Sequence, residues 1–304
     1  MFDEVRIFDS GAVGGPYSVG NTRIGSPICE DAWHEDVVET QVETGAEFLL
    51  IPNGSPYHRG KRDTRLNLMV SRVVESGLPL IYLNMVGGQD DQVFDGGSFA
   101  LNGDGSLALQ MPMFMEAVTD IVLKRESDGW VIEEGYKATV PDKQEPDYHA
   151  MVIGLRDYCA KTGFNKVLLG LSGGIDSALV AVIASDALGA KNVRCVMLPS
   201  EYTSDESLDD ARTLAENLNC RYDFLPIAEG RAAITNTLAP LFDGTAKDLT
   251  EENIQSRLRG LLLMALSNKF NEMLKSGSSL YFDSHEIEKI IDYFNQKIDS
   301  FKVK

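Results

Sequence analysis

Short apolar runs alternate with helical stretches through the first 111 residues of the chain. Bounded by Gly, Pro, Asn or Asp, these runs predict strands at residues 24–33, 47–52, 79–85, 97–103 and 106–111. Residues 35–47 and 61–77 lie between runs and place apolar side chains on one helical face, with Gly45 and Gly77 as stops. A glycine-containing turn between the last two runs predicts a hairpin. The pattern indicates a layered α/β unit.

The second half of the chain alternates strands and helices regularly. In chain order the predicted elements are helix 147–162, strand 166–171, helix 176–188, strand 192–198, helix 205–219 and strand 222–227. Such alternation indicates βαβ units with right-handed crossovers, and ligands in these sheets bind beyond the carboxyl ends of the strands. Residues 137–148 are polar and contain two prolines, so they predict a linker between domains at 1–136 and 149–304.

Composition narrows the possible functions. The length of 304 residues suits two domains, and the apolar fraction of 43% is that of an ordinary soluble globular protein. A formal charge of −18 argues against a nucleic-acid partner, because phosphates need clustered Lys and Arg. We expect no membrane span, because no apolar stretch approaches about 20 residues, and no signal peptide. Four widely spread cysteines favour a reduced, cytoplasmic protein.

Residues 172–177, SGGIDS, lie between an apolar strand and a helix that starts near Asp176. Gly173 and Gly174 permit positive φ and let backbone N–H groups approach an anion at the helix N-terminus. Ser172 and Ser177 can donate hydroxyls to the same phosphates, and Asp176 can hold Mg²⁺. The alternative is a tight turn whose Asp or Ser only caps the helix. The loop fits neither the GxxxxGK[ST] pattern nor GxGxxG.

The SGGIDS loop resembles that of the ATP-pyrophosphatase group, whose members activate a substrate as an adenylate and release pyrophosphate. Residues 196–210, 251–260 and 263–270 narrow the resemblance to NAD⁺ synthetases. The resemblance implies that adenine lies against the strand end formed by Met197, Leu198 and Pro199. It also implies a segment that meets deamido-NAD and the nucleotide, which contains Glu251, Glu252, Asn253, Gln255, Arg257 and Arg259.

The two arginines of this segment also suit phosphates on chemical grounds, because a guanidinium offers forked donors. Arg257 and Arg259 are two residues apart and should point to different helix faces, so we do not expect both to reach one phosphate. A solvated, charged helix start is the alternative for each of them.

Cys29 follows an apolar run in PICEDAW, where a side chain at a strand end would project into a cleft. A lone Cys is more often a small core residue. Together with residues 51–57 and 86–105, however, PICEDAW resembles the nitrilase-like glutaminase domain of glutamine-dependent NAD⁺ synthetases. The resemblance implies that the thiol attacks the glutamine amide, forms a glutamyl thioester and frees ammonia.

In that family a Lys and a Glu assist the Cys, and the resemblance places both before Met1. Asp3 or Glu4 corresponds at most to an additional acidic residue, and His34 reads as a surface residue. We therefore expect the chain as given not to hydrolyse glutamine efficiently. The resemblance fades after Phe270, and residues 271–304 predict an amphipathic helix after Ser284. The sequence thus resembles the middle of the family protein, truncated at both ends.

The expected fold is α/β, with a partial nitrilase-like α/β sandwich followed by a Rossmann-like, parallel-sheet ATP-pyrophosphatase domain of the adenine nucleotide alpha hydrolase type. The resemblance implies a ligase that adenylates deamido-NAD with ATP and Mg²⁺, and then displaces AMP with ammonia from glutamine. It also implies a homo-oligomer. Two alternatives stay open: a non-catalytic ATP-binding remnant or subunit, and another ATP-pyrophosphatase amidotransferase such as a GMP or asparagine synthetase. The segments EENIQSRLRG and PICEDAW disfavour the latter.

Overall fold

The computed structural model describes residues 6–9, 11–246 and 248–275. The chain divides into two compact units, Met1–Asp142 and Lys143–Lys304. This division falls inside the linker predicted at residues 137–148. The last four residues of that linker, however, already form the first turn of a helix. The helix predicted after Ser284 lies outside the described residues, as do Asp3 and Glu4.

The first unit contains a six-stranded mixed sheet, two short hairpins and two α-helices among its described residues. The elements are β1 (Tyr17–Val19), β2 (Thr22–Gly25), α1 (Glu35–Glu43), β3 (Phe48–Asn53), α2 (Lys61–Ser76), β4 (Leu80–Asn84), β5 (Val86–Gln89), β6 (Gln92–Asp95), β7 (Phe99–Leu101), β8 (Leu107–Gln110), β9 (Leu123–Glu126) and β10 (Gly129–Ile132). The sheet has the order β1-β2-β3-β4-β7-β8, in which β2, β3 and β4 are parallel and the other pairs antiparallel.

Strands β3 and β4 form the centre of the first core. Successive residues of β3 alternate between half-buried and buried, so Leu49 and Ile51 point to the same face and are fully buried. Met69 of α2 packs in the same cluster. Tyr82 of β4 stacks on Phe99 of β7 with ring centroids 4.8 Å apart. The helices therefore cover one face of the sheet.

A buried arginine joins helix α2 to two other parts of the first unit. Arg65 Nη1 donates to both carboxylate oxygens of Asp95 at 2.8 and 2.9 Å. Its Nε donates to Ser55 Oγ at 3.0 Å, and its Nη2 donates to the carbonyls of Ser55 and Pro56. Asn84 Nδ2 donates to Asp95 at 3.3 Å. The network fixes the segment after β3 against α2 and the β5–β6 hairpin.

The strand predicted at residues 24–33 is wrong beyond Gly25. The parallel ladder with β3 ends there, and Pro27 has no N–H with which to continue it. Residues Cys29–Trp33 form a 3₁₀ helix instead, and the Asp31 carboxylate accepts the Ile28 N–H at 3.2 Å. Cys29 therefore begins a helical turn and does not end a strand.

The second unit contains a four-stranded, wholly parallel sheet in the order β13-β12-β11-β14. Its described elements are α3 (Glu145–Thr162), β11 (Val167–Gly170), α4 (Ile175–Leu188), β12 (Val193–Met197), α5 (Asp205–Leu218), β13 (Arg221–Phe224), α6 (Ala228–Leu238), α7 (Leu249–Phe270) and β14 (Met273–Lys275). All of β12 is buried, as a parallel strand covered on both faces should be. The predicted α/β class is confirmed.

Local signals explain where the helices of this unit begin. Ser204 accepts the Ser207 N–H at 3.2 Å and caps α5. Asp248 and Glu251 form a reciprocal capping box at the start of α7, so Glu251 has a structural role.

Within the described ranges, no helix is long and apolar enough to cross a membrane.

We predict that Asp95→Asn strongly destabilises the first unit, by about 3–5 kcal/mol, because it leaves the Arg65 guanidinium buried without its counter-charge. Arg65 and Asp95 are 2% and 1% exposed. Both tryptophans, Trp33 and Trp130, lie in this unit, so urea unfolding followed by tryptophan fluorescence reports on it selectively.

The matched control is Asp63→Ala, which removes the partner of Arg62 from an ion pair in which the Asp63 side chain is 75% exposed. We expect it to change the free energy of unfolding by less than about 1 kcal/mol. Equal effects of the two substitutions would contradict a bracing role for the buried pair.

Candidate nucleotide site and candidate thiol site

A cavity of about 520 Å³ opens beyond the carboxyl ends of β11 and β12. This is where ligands bind in open parallel sheets. Four segments line it: residues 170–172, Met197 with Leu198, residues 202–204 with Ser207, and Arg259 with Leu263. The cavity thus combines serine hydroxyls, apolar side chains, one aromatic ring and one guanidinium.

Serine hydroxyls satisfy the N–H groups of the loop at residues 172–177. The Gly173 N–H donates to Ser207 Oγ at 3.0 Å, and the Gly174 N–H donates to Ser172 Oγ at 3.1 Å. The Ser172 N–H donates to Ser177 Oγ at 3.1 Å, and the two hydroxyl oxygens lie 3.0 Å apart. These donors converge at the N-terminus of α4, an arrangement that suits an anion.

The loop does not use the positive φ that its two glycines permit. Neither residue lies in the left-handed region, and Gly174 has φ −81° and ψ 145°. A Cβ on Gly173 would lie 2.6 Å from Ser207 Cα and 2.8 Å from its Oγ. The close approach of α5, and not the local backbone conformation, excludes a side chain at residue 173.

Asp176, the predicted Mg²⁺ ligand, lies exposed in the first turn of α4. In the part of the chain that the structure describes, no three His, Cys, Asp or Glu residues are grouped so as to hold a metal. Mg²⁺ commonly takes one or two carboxylates together with waters and substrate phosphates. A single exposed carboxylate beside the loop fits that donor set.

The predicted adenine-contacting segment is firmly anchored. Met197 and Leu198 line the cavity and are buried, and Pro199 is buried one residue beyond them. The Met197 carbonyl accepts the Leu225 N–H at 2.8 Å, and the Pro199 carbonyl accepts the Ile227 N–H at 3.0 Å. The strand end therefore offers a fixed, largely apolar wall.

Helix α7 brings one of its two predicted arginines to the cavity. Arg259 Nε donates to the Leu198 carbonyl at 3.0 Å, whereas Arg257 is exposed and does not line the cavity. The two side chains thus lie on different helix faces, as their spacing indicates. Glu252, Asn253 and Gln255 lie one to two turns before Arg259, outside the cavity lining. Their contact with deamido-NAD stays a prediction.

Sequence reasoning missed Ser207 and Tyr202 as site residues. Ser207 lies 34 positions after the loop glycine that it contacts, and only the packing of α5 brings them together. Tyr202 precedes the helix and lines the cavity. The pair of serines at 204 and 207 does carry a helix-start signal, but that signal predicts capping and not a site.

Cys29 is half-buried, and its φ of 53° places it in the left-handed region, which is uncommon for a residue with a side chain. The nearby charges are those of Lys61 and Glu30. Burial and the neighbouring Arg65 lower the pKa of the Lys61 ammonium, while Glu30 and Cys29 act in the opposite direction. Lys61 Nζ lies 4.1 Å from the centroid of the Trp33 ring.

Tyr82 is a further group whose pKa the neighbouring Cys29 influences. Burial raises the pKa of its hydroxyl to about 12, Arg65 opposes this, and Cys29 adds to it. Neither Lys61 nor Tyr82 is predicted from the sequence, although Lys61 opens the helix that the periodicity places there. His34, read from the sequence as a surface residue, is exposed. The thiol therefore lies within electrostatic range of a cation and of a buried phenol.

The two units match two different family models. Residues 2–127 match the model described as carbon-nitrogen hydrolase, and residues 147–297 match the model described as NAD synthase. The candidate thiol lies within the first match and the cavity within the second. The nitrilase-like assignment of the first unit is therefore confirmed along with the synthetase assignment of the second.

Relatives of this domain pair resemble the chain along most of its length. It is 58% identical over 274 residues to a glutamine-dependent NAD(+) synthetase of Rhodobacter capsulatus, covering 90% of the chain and 50% of the relative. Identity to the Synechocystis protein of the same name is 40%, covering 91% and 51%. A solved Acinetobacter baumannii glutamine-dependent NAD+ synthetase, in complex with adenosine diphosphate, has a TM-score of 0.84 and 38% identity, covering 90% of this chain and 52% of that one.

The chain spans about half the length of the curated relatives it matches. Because the two family models together match most of the chain and relatives of this name align with about 90% of it, the chain belongs to the glutamine-dependent NAD(+) synthetase family.

Proposed function

We propose that the chain serves the ATP-dependent amidation of deamido-NAD to NAD⁺, with ammonia derived from glutamine. The observation that carries the proposal is the cavity in which Ser172 at the start of the SGGIDS loop, the strand end at Met197 and the side chain of Arg259 meet. A relative that shares the fold at 38% identity is solved with adenosine diphosphate, which supports a nucleotide as the ligand.

In the proposed first half-reaction, a carboxylate oxygen of deamido-NAD attacks the α-phosphorus of ATP. The bond to the bridging oxygen breaks, and pyrophosphate leaves with the electron pair. The N–H groups of Gly173 and Gly174, together with the hydroxyls of Ser172 and Ser177, would stabilise the charge on the leaving group. Asp176 would hold Mg²⁺, which neutralises phosphate charge when it is bound.

In the proposed second half-reaction, ammonia attacks the adenylated carbonyl carbon, and AMP leaves as the amide forms. We propose Cys29 as the nucleophile that releases this ammonia from glutamine through a thioester. Its half-buried position beside Lys61 supports this role, because a cation there favours negative charge close to the reacting sulfur.

The proposal extends to the cellular compartment, the ligands and the assembly of the protein. All four cysteines are free, which supports a reducing compartment such as the cytoplasm. The small-molecule ligands are ATP with Mg²⁺, deamido-NAD, and glutamine or ammonia. We also propose a homo-oligomeric assembly, as the family resemblance implies, and exclude nucleic acid as a partner on the basis of the net charge of −18.

The test is to titrate the chain with MgATP by calorimetry and to assay NAD⁺ formation from deamido-NAD with either glutamine or ammonium chloride. We expect Cys29→Ser to abolish any glutamine-dependent formation and to spare the ammonium-dependent reaction, because only the first needs the thiol. ATP binding without NAD⁺ formation from either nitrogen source would overturn the enzymatic proposal and leave a nucleotide-binding protein.

Gly173→Ala should weaken ATP binding by more than about tenfold. The new Cβ would lie 2.6 Å from a main-chain atom of α5, so either the loop or the helix must shift. The control is Gly260→Ala in α7, where an added Cβ meets nothing within 4 Å. That change should raise stability by roughly 0.5–1 kcal/mol and leave ATP affinity unaltered. Calorimetric Kd values and thermal melting measure both variants.

Arg259→Ala should raise the Kd for ATP by about 10- to 100-fold, because hydrogen bonds from charged donors contribute about 1.5–3 kcal/mol. Arg257→Ala should change it by less than about threefold, since that side chain is exposed away from the cavity. Parallel ATP titrations of the two variants provide the comparison. Equal losses would show that the ligand extends along α7 beyond the cavity.

A further inference from the structure

Tyr202 is an exposed aromatic residue at the candidate nucleotide cavity. Its side chain is 71% exposed, although it also lines the cavity. Single exposed apolar side chains are common and need no explanation by themselves. The position of this residue, however, is restricted by a turn and by the guanidinium of Arg231, which contacts that turn.

The turn at residues 200–203 holds the backbone of Tyr202. The Thr203 N–H donates to the Ser200 carbonyl at 3.1 Å, and the Ser200 N–H donates to Thr203 Oγ1 at 3.0 Å. The Tyr202 N–H donates to Ser200 Oγ at 3.4 Å. The turn joins the end of β12 to the start of α5, so both flanking elements are parts of the site.

The side chain of Arg231, in α6, contacts the same turn. Its guanidinium forms an ion pair with Glu201 and lies 6.0 Å from the centroid of the Tyr202 ring. That distance is at the limit of a cation–π contact. One cation therefore engages two successive residues of the turn, and this restricts where the ring can lie.

The rest of the lining suits the flat, apolar faces of a nucleobase. Met197 and Leu198 are 3% and 6% exposed, and Leu263 packs with Leu198 in a buried cluster. Aromatic rings bind bases through their π faces, without the need for a particular pattern of donors and acceptors. The cavity thus places an aromatic ring and an aliphatic wall around a space that Ser172, the first residue of the SGGIDS loop, also lines.

We propose that Tyr202 stacks on the adenine of bound ATP and that Arg231 is the positioning residue that holds the ring over the cavity. This inference rests on the proposed function, because it takes the cavity as the ATP site. In the proposed arrangement, adenine lies between the aliphatic wall at Met197 and Leu198 and the ring of Tyr202.

The test compares ATP with inorganic tripolyphosphate, which carries the phosphates without the base. Tyr202→Ala should raise the Kd for ATP about tenfold, the size expected for one base–aromatic stack, and should change the Kd for tripolyphosphate by less than twofold. Tyr202→Phe and Tyr202→Trp should retain ATP affinity, because the ring and not the hydroxyl makes the contact.

Arg231→Ala should weaken ATP binding by a smaller factor of about two to five, and Arg231→Lys should restore most of it. Tyr158→Ala on α3 is the matched control, because this tyrosine is also exposed but is not part of the cavity lining. It should leave both Kd values within twofold of those of the unsubstituted chain.

Three outcomes would overturn the inference. An unchanged Kd for ATP in Tyr202→Ala would show that the ring does not contact the base. Equal weakening of ATP and tripolyphosphate would show that the turn only supports the loop. If the unsubstituted, folded chain binds no ATP, the proposed function fails and the stacking fails with it. The first two results leave the ATP site itself intact.

Discussion

Helix α5 can begin where it does only because residue 173 has no side chain. The Cα of Ser207 occupies the space that a Cβ would need, and the Ser207 hydroxyl accepts the loop N–H. This contact sets the distance between the loop after β11 and the segment after β12. The cavity, its aliphatic wall and the turn at residues 200–203 all depend on that distance, so one small residue determines the shape of the candidate nucleotide site.

In the first unit a buried ion pair fixes the relative positions of neighbouring segments, whereas in the second unit a close contact between backbones does so. Arg65 lies in α2, yet five of its hydrogen bonds end on the segment after β3 and on Asp95 of the hairpin. A buried ion pair contributes little net stability compared with an apolar pair of similar volume, but its directional bonds allow one arrangement of the partners. Tyr82 interacts electrostatically with Arg65, with Asp95 and with Cys29, so the candidate thiol and this network share a neighbour.

Strong periodicity made much of the fold predictable. Strands β3, β4, β11 and β12 and helices α2 and α5 follow from apolar runs and helical faces that tertiary contacts reinforce. The strand predicted through Cys29 failed because the apolar pattern continues past Pro27, although the backbone cannot. The β5–β6 and β9–β10 hairpins were missed because each of their strands has only four residues, which is too short to show a clear alternation of apolar and polar positions.

The site was predictable only where its residues are neighbours in sequence. The loop at residues 172–177 carries its chemistry in six consecutive positions, so its serines and Asp176 could be named directly. Ser207, Tyr202 and Lys61 reach their sites through the packing of helices and turns, and that packing leaves no local pattern. Arg259 and Arg257 were predictable only in part. Their spacing shows that they lie on different faces of the helix, but it does not show which one faces the cavity.

The serine hydroxyls that contact the loop at residues 172–177 affect which anions the loop can bind. The N–H groups of Ser172, Gly173 and Gly174 already have oxygen acceptors, which are the hydroxyls of Ser177, Ser207 and Ser172 in that order. Binding is therefore an exchange of acceptors, in which an incoming ligand replaces internal bonds and gains only the difference. A small monovalent anion offers too few oxygens to replace all three hydroxyls at once. A polyphosphate offers enough oxygens to replace all three, so the exchange favours a polyphosphate over a small monovalent anion.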